Sequence, residues 1–281
     1  MASKAWQILK QTFLDWARDR CTSQAAAIAF YAIFSFVPLL ILVVMISSSF
    51  YGDQAAIHEA QQQMRRYIAP QAAELVGMIL AAGFQSGRSG MALVTSILGL
   101  LYGATAVFGQ VQQALNAVWK APRHSEPAAR QLLRYLWRRM LALAMVLVMT
   151  AVFFLSMLLG AAWIWLRPVL RDLASGEHWH AGRVYNLGIS FLAMSLMLAM
   201  IYKILPDVRI RWRDVWIGAV ATAVAILASG VLIGLYISHA QIASAYGAAG
   251  SLVVLLVWVY LTAMVFLLGA EFTHVYASRK R

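Results

Sequence analysis

Residues 247–270 read GAAGSLVVLLVWVYLTAMVFLLGA, a run without one charged side chain. A helix rises about 1.5 Å per residue, so roughly 20 such residues cross the ~30 Å hydrocarbon core of a bilayer. Working back along the chain, comparable apolar runs lie at about 215–238, 184–205, 141–166, 91–112 and 25–50. The composition agrees: 62% of the 281 residues are hydrophobic and 12% are charged, too apolar for an ordinary soluble domain. Lipid offers no hydrogen bonds, so a crossing segment must satisfy its own backbone as a helix or in a closed barrel. These runs are too long and too little alternating for barrel strands. The expected fold is an all-α, polytopic membrane protein of six transmembrane helices, forming one integral domain over 1–281.

Charge sets the expected orientation, because Lys and Arg near span ends are retained on the cytoplasmic side. Of the 23 basic residues, only Arg65, Arg66, Arg88, Arg167, Arg171 and Arg183 fall on one face of a six-span topology. The rest share the other face: Lys4, Lys10, Arg18 and Arg20; the loop from Lys120 to Arg139; Lys203 to Arg213; and Arg279, Lys280 and Arg281. Both termini are therefore expected in the cytoplasm. The apolar segment Ala72 to Phe84 follows Pro70 and contains Glu74, and a crossing there would invert the charge bias. Ile57 to Phe84 is read instead as two external helices broken at Pro70, with an apolar face of Ile57, Ala60, Met64, Tyr67 and Ile68.

The first 24 residues have no hydrophobic core of a cleavable signal. Trp6, Leu9, Phe13, Trp16 and Ala17 recur at helical spacing, which predicts an amphipathic helix lying in the inner interface. Anchoring is favoured there over binding of acidic lipid or a partner. The formal charge of +12 follows membrane topology across several loops and tails. Membrane lipids, not nucleic acid, are the expected partner. Cys21 is the single cysteine, so no intramolecular disulfide forms.

Polar groups within spans are the candidates for function, since each needs a partner or water. Pro38 removes a backbone donor and crowds the carbonyl of Phe34, and Tyr31 and Ser35 lie one turn apart beside it. A structural kink is favoured over a hinge in a transport path. Gln112 and Asn116 share a face at the inner end of the second span, with Gln110 and Gln113 nearby, and fit a polar entrance and a wet helix end equally well. Trp258, Tyr260 and Thr262 carry polar atoms near the middle of the last span, with packing the favoured role. Glu271 follows its apolar run; if buried it requires a partner among Lys203, Arg209, Arg211 or Arg213, and if exposed it needs none, with a structural ion pair favoured over a proton- or ion-coupling role. Gly99 with Gly103, and Gly230 with Gly234, have the G-x-x-x-G spacing of close helix contacts. That spacing leaves a homo-oligomer open. Tyr246-Gly247-Ala248-Ala249-Gly250 forms a pliable approach to the last span.

Several stretches also carry a family resemblance: Ala26-Ala27-Ile28-Ala29-Phe30-Tyr31-Ala32-Ile33-Phe34-Ser35-Phe36-Val37-Pro38-Leu39, Ala114-Leu115-Asn116-Ala117-Val118-Trp119, Tyr202-Lys203-Ile204-Leu205-Pro206, Tyr246 to Gly250, Trp258-Val259-Tyr260 and Leu268-Gly269-Ala270-Glu271. In this order the sequence resembles the YihY/BrkB family of bacterial inner-membrane proteins over nearly its whole length. The resemblance implies a six-helix inner-membrane protein of unsettled activity, whose members have carried the label ribonuclease BN. It also implies that any role residing in the longer tails of other members is not expected in this shorter one.

The residues give the nuclease label no support. The cytoplasmic acids Asp15, Asp19, Glu126, Asp207, Asp214 and Glu271 are scattered, where nuclease chemistry uses clustered carboxylates or placed histidines. His178 and His180, near Glu177, lack further ligands for a metal. No enzyme activity, metal or cofactor is expected. Movement of a lipid or small solute is the preferred role, and a noncatalytic scaffold or regulator is the alternative. Reporters fused at residues 1 and 281 should both respond as cytoplasmic, and a reporter after residue 85 as external. Opposite signals from the two ends would refute the even-numbered topology.

Overall fold

The computed structural model describes residues 2–52, 90–122, 179–239 and 250–279, with isolated positions 54, 58, 77, 140 and 144. The expected span at 141–166 and external helices at 57–84 lie almost wholly outside these residues. The described residues are helical or in turns, with no strand among them. Their helices are α1 (Ala2–Arg18), α2 (Cys21–Tyr51), α3 (Gly90–Val118), α4 (Trp179–Ile204), α5 (Trp212–His239) and α6 (Gly250–Ser278). α2 continues unbroken through Pro38. α6 extends eight residues beyond the apolar run that ends at 270, because Glu271 to Ser278 contains no breaker and remains packed.

Stretches Trp212–Tyr236 and Leu252–Ser278 are long and apolar enough to cross a membrane, and Cys21–Phe36 and Phe191–Ile204 are shorter apolar stretches. Only 29% and 28% of the two long stretches is buried within the protein. A soluble core helix would hide such residues, so this exposure fits a lipid solvent. α5 shows the pattern in detail. Ile217, Val220, Val224 and Leu227 are exposed along one stripe, while Val215, Gly218, Ala219, Thr222 and Ala223 are buried on the other. Large apolar side chains face out and small residues face in. Lipid tails are as apolar as leucine, so helices associate through close packing of small residues instead of by hiding large ones.

Two compact units can be distinguished, one of residues 1–16, 115–225 and 268–281, the other of 17–114 and 226–267. In the second unit, α2 and α3 meet where Gly103 is buried against Ser35. A Cβ at Gly103 would lie 2.6 Å from the Ser35 Cβ and 2.7 Å from its Cα. Ser35 gives its hydroxyl to the Ala32 carbonyl at 2.8 Å, which satisfies it within its own helix. Gln110 Nε2 donates to Gln24 Oε1 at 2.8 Å, a second tie between the same two helices.

The turns are also specified locally. α3 ends in a Schellman motif: the Lys120 amide donates to the Ala117 carbonyl at 3.1 Å and the Ala121 amide to the Asn116 carbonyl at 2.9 Å. Lys120 is held at φ 49°, where glycine is usual. α4 carries Lys203 in its last turn and α5 carries Asp214 in its first, charges that each complement the helix dipole. Lys120→Gly should raise stability by about 0.5–1 kcal/mol, the relief of left-handed strain less the lost cation at the helix end. Thermal unfolding in detergent measures it, and a lower midpoint would contradict the strain.

Candidate polar site

Within the first unit α5 and α6 interlock through two threonines and two glycines. Gly218 and Thr222 are one turn apart on α5, as are Gly269 and Thr273 on α6. Thr273 packs onto Gly218 and Thr222 onto Gly269. A Cβ on Gly218 would come within 2.7 Å of Thr273 Cβ and Cγ2, and one on Gly269 within 2.7 Å of Thr222 Cγ2. Each threonine donates to the carbonyl of its own helix's glycine at 2.7 Å. Each hydroxyl is thereby satisfied within its own helix, and Oγ1 is the threonine atom nearest the facing glycine, ahead of Cβ and Cγ2.

One polar side chain reaches this clasp, and other buried polar groups lie elsewhere on α4 and α6. Tyr202 of α4 is fully buried and donates to Thr222 Oγ1 at 3.3 Å, giving a hydroxyl chain from Tyr202 through Thr222 to the Gly218 carbonyl. Ser195, two turns earlier on the same face of α4, is buried, and its hydroxyl has no hydrogen-bond partner among the described residues. Glu271 is fully buried on α6. One turn on, His274 meets the ring of Trp119 edge-on, with centroids 5.0 Å apart. A carboxylate removed from water must be matched by a partner or carry a proton. A change of that state is the chemistry such a position supplies.

Of the cations expected near Glu271, Arg209, Arg211 and Arg213 are exposed. Lys203 donates to the Ile210 carbonyl and lies 5.4 Å from the Trp212 ring centroid. Asn116 is part of a reciprocal clamp: its Nδ2 donates to Asp207 Oδ2 and its Oδ1 accepts from the Asp207 amide, both at 2.8 Å. It thus joins the end of α3 to the turn after α4, bringing together two of the stretches that carry the family resemblance.

The remaining candidates are spread out. Tyr31 is half-buried beside Phe30, with ring centroids 5.6 Å apart. Gln112 is buried. Trp258 and Tyr260 are half-buried on α6, and Thr262 donates to the Trp258 carbonyl at 2.9 Å. Pro38 has a described backbone only, within α2. Gly99 is half-buried; Gly230 and Gly234 are exposed, and a Cβ on either meets no described atom within 4 Å. Among the described residues no three His, Cys, Asp or Glu side chains gather as metal ligands.

The clasp has no G-x-x-x-G pair on either helix, since each glycine stands four residues before a threonine. A wider small-x-x-x-small template finds both Gly218 with Thr222 and Gly269 with Thr273. Ser195 and Tyr202 were readable as polar residues within a span at i and i+7, a spacing that keeps them on one face.

Comparison with known sequences places this architecture. The sequence model of the family described as "Virulence factor BrkB" matches residues 12–281. The chain is similar to proteins named "UPF0761 membrane protein". With that of Alkalilimnicola ehrlichii it is 23% identical over 265 residues, covering 93% of this chain and 56% of the relative. With that of Laribacter hongkongensis it is 26% identical over 265 residues, covering 92% and 59%. With that of Aeromonas salmonicida it is 26% identical over 262 residues, covering 92% and 86%. The chain thus spans less than three-fifths of the length of the first two relatives. No solved structure matches.

The two classes of glycine separate by substitution. Gly269→Ala pushes a methyl into Thr222 and should destabilise by about 1–3 kcal/mol. Gly230→Ala, in open space, should be neutral or stabilise by up to about 1 kcal/mol through helix propensity. Detergent unfolding midpoints compare them, and equal effects would contradict the clasp.

Proposed function

The chain belongs to the virulence factor BrkB family of membrane proteins, and from that premise we propose that it moves a lipid or small solute across the bacterial inner membrane. It does so as a six-span protein with cytoplasmic termini, and it is not an enzyme. The observation that carries this reading is the full burial of the ionisable Glu271 on an apolar helix. Ionisable groups within spanning helices are costly and mark transport or proton paths more often than they mark packing. In this reading Glu271 and His274, one turn apart on α6, hold the coupling proton or cation.

A noncatalytic scaffold is the second reading. The Asn116–Asp207 clamp and the Thr–Gly clasp favour it, because both place polar atoms in fixed, internally satisfied structural contacts.

Purified protein in liposomes distinguishes the two. A fluorescent short-chain phospholipid, read by reduction of its outer-leaflet pool, reports lipid movement, and an entrapped pH dye reports proton flux. Glu271→Gln keeps the shape of the side chain and should slow the active process by about tenfold or more, about 1.4 kcal/mol of barrier, with insertion intact. Flux equal to that of empty liposomes, or unchanged by the substitution, would refute the transport reading.

A further inference from the structure

The N-terminal helix presents its amphipathy in reverse. In α1 the buried side chains are polar, with Thr12 2% and Asp15 6% exposed, and Gln11 half-buried between them. The exposed side chains are large and apolar: Trp6 68%, Leu9 46%, Phe13 56% and Leu14 54%. A helix packed on a protein in water turns the other way. Three of the inward polar side chains, Gln11, Thr12 and Asp15, are bonded within the helix. Gln11 Nε2 is shared between the two Asp15 oxygens at 2.9 and 3.0 Å, and Thr12 donates to the Ile8 carbonyl at 2.8 Å.

The helix is also held at a defined place. Arg279, just beyond the end of α6, donates to the Gln7 side chain at 3.4 Å and to its carbonyl at 3.3 Å. The N-terminal part of α1 is thereby tied to the C-terminal end of α6, a helix long and apolar enough to cross a membrane. At its other end α1 continues through a two-residue turn, with Arg20 at φ 51°, into α2. The charges on the outward face have one sign. Lys10 lies among Trp6, Phe13 and Leu14 at spacings of three and four, and Arg18 closes the helix; both are exposed. The single acid of α1, Asp15, is turned inward.

We propose that the outward face of α1 is a docking surface for anionic phospholipid, with Trp6, Leu9, Phe13 and Leu14 in the headgroup–acyl boundary and Lys10 and Arg18 on the headgroup phosphates. Aromatic and aliphatic anchors interleaved with cations are the composition an anionic interface takes. The proposal stands apart from the transport reading, since it assigns a lipid contact and no movement.

The test uses the full chain with Cys21→Ala and an environment-sensitive fluorophore on Phe13→Cys, reconstituted in mixed phosphatidylcholine and phosphatidylglycerol vesicles. A shallow nitroxide quencher is carried on one lipid or the other. The label should emit as in an apolar setting and be quenched more strongly when phosphatidylglycerol bears the nitroxide. Lys10→Glu, at an exposed site, should weaken that preference about fivefold or more. Equal quenching by both lipids, or no effect of Lys10→Glu, would overturn the anionic recognition. A label that stays in water, or is shielded only when a second protein is added, would overturn the lipid contact itself.

Discussion

A bilayer supplies no hydrogen bonds, and the described structure follows from that deficit. Four hydroxyls are turned back on their own backbone: Ser35 to Ala32, Thr222 to Gly218, Thr262 to Trp258 and Thr273 to Gly269. With the hydroxyl satisfied locally, a small side chain behaves as an apolar surface, and two helices approach until a glycine is required opposite it. On α5 the buried face at the clasp is accordingly small and the exposed face large.

That pattern extends to α1, where the protein takes the polar side and leaves the apolar side outward. The exposed arginines of the turn between α4 and α5, with Trp212 at 50% exposure beneath the Lys203 ammonium, have the same mixture of cation and aromatic ring. Long basic side chains and amphipathic rings both suit an interface, where one end meets hydrocarbon and the other meets phosphate.

Much of the helical layout was legible because apolar runs of membrane length have few other interpretations. The run at 184–205 corresponds to a helix over Trp179–Ile204, and that at 215–238 to Trp212–His239. The end of α6 was less legible: hydropathy stops at Ala270, whereas burial continues through Glu271, Thr273 and Val275. The stripe of Trp6, Leu9 and Phe13 was plain in the sequence, but periodicity describes a stripe without saying what packs on the opposite side. Asn116 was readable as a polar residue at a helix end. Its partner, Asp207, is 91 positions away, and no local pattern announces so distant a pair. The clasp escaped because threonine, once its hydroxyl is satisfied internally, takes the place that a glycine template reserves for glycine.

Each helix at the clasp is at once knob and socket, with its threonine seated in the other's glycine notch a turn away. Sliding α5 along α6 at this level would unseat both pairs together, so the two seats resist axial shear between Gly218–Thr222 and Gly269–Thr273.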